Sequence, residues 1–113
     1  MRIITESISI DELKELAKKM FYNMVKAVVD IEKGIMAIDA QLHVDLEQLL
    51  LENSSKQENL WGINFHPDET GPAFVEFDSM INVRPNQGNM GRGVEDIKIQ
   101  EKIRAVADKL VKR

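Results

Sequence analysis

The sequence predicts an α+β domain: a mostly antiparallel sheet of about four strands, arranged as two hairpins, with three helices packed on one face. Two observations carry this. Residues 24–38 and 61–84 alternate or run apolar in strand fashion around turn residues. Residues 10–22, 42–53 and 97–111 instead repeat apolar side chains at helical spacing. The order is (β)αββαββα. Residues 1–113 read as one domain, because a chain of 113 residues supports a single modest core.

Ile3 and Ile4 begin the chain extended. Ser9-Ile10-Asp11-Glu12 then has the form of a capping box, in which the serine hydroxyl takes an N3 amide and the glutamate reaches back. Ile10, Leu13, Leu16, Ala17, Met20 and Phe21 recur on one stripe, which predicts a helix over 10–22. Residues 24–31 and 34–38 are short and β-branched, and Glu32-Lys33-Gly34 suits a tight turn between them. Val25, Ala27, Val29 and Ile31 share a face; Val28 lies on the other, between Lys26 and Asp30. A lone hairpin is marginal, so these strands should join the later pair in one sheet.

Leu42, Leu46, Leu49 and Leu50 form a helical stripe, with Asp45 as N-cap and Asn53-Ser54-Ser55 as the stop. The run 47–52 also fits a strand by length alone. Ser55 to Glu58 repeats the capping-box pattern. The last element, over 97–111, places Ile99, Ile103, Val106, Ala107 and Leu110 on one stripe behind Asp96 as N-cap.

Residues 61–93 hold the only Trp, three of the four Phe, all three Pro and five of the six Gly, so any site is expected there. Trp61, Ile63 and Phe65 alternate with Gly62, Asn64 and His66. Val75, Phe77, Ser79, Ile81 and Val83 alternate with Phe74, Glu76, Asp78, Met80, Asn82 and Arg84. Residues 67–72 between them are turn chemistry. With Asn64 opposite Glu76, every large apolar side chain except Phe74 and Met80 turns inward. Those two are then assigned to a contact between copies in a homodimer. The remaining face is a polar stripe of Asn64, His66, Glu76, Asp78, Asn82 and Arg84. It reads either as a solvated sheet face with cross-strand charge pairs or as the floor of a ligand site.

The loop 85–93 adds glycines at 88, 91 and 93 and points toward a helix start, an arrangement that can present amides to an anion. A small anionic ligand is therefore assigned to Asn82, Arg84, Asn86, Gly88, Asn89, Gly91 and Arg92, with the arginines as bidentate forks. Glu95 and Asp96 oppose this, since they already supply negative charge at the helix start. The loop also has neither the Walker nor the dinucleotide pattern.

Composition narrows the classes. Net charge is −4, which argues against nucleic acid. No apolar run approaches a membrane span and no leader opens the chain. The absence of Cys excludes disulfides and thiolate chemistry and fits a cytoplasmic setting. His66, Glu76 and Asp78 are the candidate catalytic groups for proton transfer; Glu76 and Asp78 would lie about 7 Å apart along a strand. His43, Asp45 and His66 are the weak candidates for a metal, at a spacing that matches no standard motif. No metal and no cofactor are expected.

The strings LHVDLEQLLLENSSKQENLWGIN (42–64) and FDSMINVRPNQGN (77–89) resemble a family of short prokaryotic proteins of unknown function. The resemblance spans nearly the whole chain. It implies a free-standing cytoplasmic domain and transfers no activity to any residue. The leading functional expectation is a small binding or interaction protein, homodimeric, with the anion site above. The alternative is a small enzyme using Glu76 or Asp78 with His66.

Overall fold

The computed structural model describes residues 1–20 and 23–113. Along the chain run β1 (Arg2–Ile4), β2 (Ile8–Ser9), α1 (Ile10–Lys18), β3 (Val25–Asp30), β4 (Ile35–Ile38), α2 (His43–Glu52), β5 (Leu60–Phe65), β6 (Val75–Glu76), α3 (Ile97–Leu110) and β7 (Val111–Lys112). The class is α+β, as the periodicities predict. Five strands form an antiparallel sheet in the order β1-β4-β3-β5-β6, and β2 pairs in parallel with β7. That second ribbon is one strand pair more than the pattern suggested.

Local chemistry explains most of the elements. Ser9 caps α1 by accepting from the Glu12 amide, and Asp96 caps α3 by accepting from the Lys98 amide. Glu12 does not complete the capping box; its carboxylate pairs with Arg2 instead. The helical stripe proposed to reach Phe21 and Tyr22 ends at Lys18, and residues 21–22 lie outside the described ones. The β3–β4 turn closes on Gly34 at φ 68°, a conformation glycine adopts without strain. The Asp30 carboxylate secures that turn by accepting from the Glu32 and Lys33 amides and from the Ser55 hydroxyl. Ser55 is thus tied to β3 rather than capping a new helix.

Three expectations are corrected. The helices do not share one face. α1 and α3 pack Leu13, Leu16, Ala17, Ile103, Val106 and Leu110 on Val25, Ala27, Val29, Trp61, Ile63 and Phe65. On the opposite face α2 packs Leu46 and Leu50 on Val28, Ala37 and Leu60. Val28 stands opposite both Ala37 and Gly62 in the sheet, so this face has its own apolar centre. Covering such a patch contributes about 25 cal/mol per Å². Next, α2 starts at His43 rather than at Asp45, behind Leu42, whose side chain makes no capping bond.

The third correction concerns the second hairpin. Its register is as predicted, with Asn64 opposite Glu76 and Phe65 opposite Val75. However, the strand expected over 74–84 is only two residues long. The Ser79 hydroxyl accepts from the Ile81 amide and turns the chain into a 3-10 turn, Met80–Asn82. Before β6 the chain is also turned, by Gly71–Phe74. Phe74 therefore swings inward onto Phe65, with ring centroids 5.0 Å apart, and is no surface residue.

Candidate functional site

Because β6 stops after two pairs, the outer edge of β5 from Leu60 to Gly62 has no strand beside it among the described residues. Its backbone groups still need partners, since an orphaned buried amide or carbonyl costs free energy. Side chains supply them. Asn82, fully buried, accepts from the Gly62 amide at 2.8 Å and donates to the Gly62 carbonyl at 2.9 Å, the two bonds a neighbouring strand would make. Its amide group also donates to the Arg92 carbonyl at 3.0 Å. Arg84 donates to the carbonyls of Leu60 and Gln57, and its guanidinium lies 4.2 Å from the centre of the Trp61 ring. Burial pulls the Arg84 guanidinium below its ordinary value, and the Glu47 carboxylate opposes part of that shift. Glu47 was not singled out from sequence; it is buried on α2, and its place four residues after His43 on the Leu46–Leu50 stripe was the available signal.

Asn89 performs the same service for the loop. Its amide nitrogen is shared among the carbonyls of Asn82, Gly93 and Gly91, at 2.8, 2.8 and 3.1 Å. Its oxygen accepts from the Glu95 amide at 2.9 Å. Arg84 and Asn89 also exchange backbone hydrogen bonds, and Gly88, at φ 79°, closes the turn between them. The Met90 amide is held by the Glu95 carboxylate. Asn82, Arg84 and Asn89 thus face inward and spend their hydrogen bonds on the chain itself. Asn86, Gly88, Gly91 and Arg92 remain at the surface. An anion arriving at the loop meets carboxylates already in place, Glu95 on the Met90 amide and Asp78 on Arg92.

The other predicted residues do meet on one surface. Glu76 Oε1 accepts from Asn64 Nδ2 at 2.9 Å and lies 3.2 Å from His66 Nε2. Asn64 also donates to the Asp78 carbonyl, and Arg92 Nε donates to Asp78 Oδ1 at 2.7 Å. Both candidate carboxylates are therefore engaged, and nothing among the described residues favours the enzyme reading.

His43, at the start of α2, is buried with Nε2 2.8 Å from the Ile63 carbonyl. A carbonyl only accepts, so Nε2 carries the proton. Burial is the main cause holding the His43 pKa below 6.5; the hydrogen bond to Ile63 opposes it, and the charges of Lys26 and Arg92 lower it further against that of Asp78. α2 also packs against the Met80–Asn82 turn, where Ile81 joins the cluster around Leu46 and Leu50. Asp45 is exposed, and among the described residues no three His, Asp or Glu side chains are placed to share a metal ion. No described helix is long and apolar enough to cross a membrane.

Over residues 2–110 the chain matches the family described as "Protein of unknown function (DUF5674)". No curated protein and no solved structure matches it.

Proposed function

The chain belongs to this family of proteins of unknown function, so its own surface must carry the reading, and we propose a small interaction protein that pairs with a second copy of itself. The contact surface is the outer side of residues 78–92 together with the start of α2. The observation that carries this is a division of labour within one irregular segment. Its inward side chains fix the backbone, while its outward ones include exposed apolar groups: Met80 and Met90 are each 64% exposed, and at the start of α2 Leu42 and Val44 are 55% and 53% exposed. Long irregular segments that are nonetheless well ordered tend to be functional. Exposed apolar groups held on a fixed backbone mark contact surfaces, and Met and Arg are enriched in them.

A second copy is favoured by the paired charges on this segment. Arg92 and Asp78 sit side by side, and a two-fold axis lets each exchange for its counterpart across the contact. The test is light scattering over roughly 5–200 μM, the range in which a micromolar association becomes visible. The mass should rise toward that of a dimer and fall back in a Met80→Asp, Met90→Asp variant of unchanged circular dichroism. A monomeric mass throughout overturns the proposal.

A further inference from the structure

A cleft of about 420 Å³ opens between the Gly71–Phe74 turn, α3 and the end of the chain. Arg104 and Arg113 both line it. Each guanidinium rests on an aromatic face, that of Arg104 4.9 Å from the centre of Phe77 and that of Arg113 4.5 Å from the centre of Phe74. Arg104 is held further by donating to the Pro72 carbonyl at 3.4 Å. Among the described residues neither arginine forms an ion pair, although the chain carries a net charge of −4. Ring stacking uses the face of a guanidinium and leaves its in-plane N–H groups free to donate. Two such forks converging on one cleft lose little further freedom on capturing an oxyanion.

We propose that this cleft binds a small organic phosphate. Among the side chains lining the cleft, two guanidinium groups stand against the one carboxylate of Asp108. A phosphate monoester, carrying about −1.5 to −2 near neutral pH, gains more from that field than a monocarboxylate and offers three acceptor oxygens. The phosphate sits between Arg104 and Arg113. Pro72, exposed at the rim, supplies an apolar wall for the organic part, and Asp108 accepts from a hydroxyl on it. This site is separate from the self-association surface, and neither depends on the other.

Phenyl phosphate and inorganic phosphate are the probes, titrated into the isotope-labelled protein and followed by amide chemical shifts. Phenyl phosphate should saturate, bind at least tenfold more tightly than inorganic phosphate, and move the amides of Gly71 and Val75 in preference to those of Gly91 and Arg92. Arg104→Ala and Arg113→Ala should each weaken it by tenfold or more, while Arg92→Ala leaves it unchanged. Arg104→Lys, which keeps the charge and the stem over the ring, guards against a folding defect and should retain only part of the affinity. Shifts that do not saturate, shifts centred on Gly91 and Arg92, or affinity unaltered in Arg113→Ala would overturn the proposal.

Discussion

Replacing Asn82 tests whether a side chain stands in for the missing strand. Asn82→Ala removes hydrogen bonds of 2.8, 2.9 and 3.0 Å; it leaves the Gly62 amide and carbonyl without this partner and the Arg92 carbonyl with the Ser79 amide alone. The side chain it deletes is 0% exposed, so water reaches these groups only if the structure opens. Each of the two orphaned groups costs about 1–3 kcal/mol, with the carbonyl toward the lower end, and the lost bond to Arg92 adds about 0.5–1.5 kcal/mol, which gives a loss of about 3–5 kcal/mol. For a domain whose whole stability is about 5–15 kcal/mol, that is a large share. In urea unfolding followed by circular dichroism, the midpoint should drop by roughly 2 M. Asn82→Asp sharpens the test because it keeps the shape. It retains an acceptor for the Gly62 amide but sets a carboxylate oxygen against two carbonyls, so it should destabilise at least as much as alanine. An account based on volume alone expects aspartate to be the milder change. An aspartate variant within about 1 kcal/mol of wild type would refute the reasoning.

Three further outcomes follow from the same geometry. Gly62→Ala places a Cβ 2.5 Å from Ser79 Cβ and 2.6 Å from its Oγ, and should cost about 2–3 kcal/mol in urea unfolding; in a double-mutant cycle the cost should shrink against a Ser79→Gly background. Arg84→Lys retains the charge but cannot reach the Leu60 and Gln57 carbonyls as a fork; it should lose about 2 kcal/mol and alter the Trp61 fluorescence in the folded state. His43 titrates below its ordinary 6.5 when folded, so the unfolded chain takes up that proton first as pH falls. Its contribution is fully present above the unfolded pKa and is lost as pH drops below it. The urea midpoint should therefore fall more steeply between about pH 7.5 and 5 in wild type than in His43→Gln.

The strand alternation of Trp61, Ile63 and Phe65 and the pairing of Asn64 with Glu76 were legible because a half-buried strand writes its faces directly into the chain. The covered second face was also legible, in retrospect, from Val28: an apolar residue between Lys26 and Asp30 needs a lid, and α2 provides it. The inward turn of Asn82, Arg84 and Asn89 was not. An asparagine that completes a sheet edge and one that contacts a ligand are the same letters, and what separates them is where β6 ends. Gly62 held a hint, since glycine inside a strand marks a close approach, here by Ser79 and Ile81. Phe74 was misplaced because strict alternation was carried back through the Gly71–Phe74 turn, where a period of two no longer applies.

Native-state hydrogen exchange tests most directly whether residues 77–93 are a fixed scaffold. The amides of Gly62, Ser79, Arg84 and Asn89 are bonded respectively to the Asn82 side chain and to the carbonyls of Arg92, Asn89 and Arg84. They should be protected to the same degree as the amides between β3 and β5, and those of Ser79, Arg84 and Asn89 should lose that protection together in Asn82→Ala. Exchange at the rate of an open loop, with the sheet still protected, would contradict the scaffold and remove the basis for a contact surface built on it.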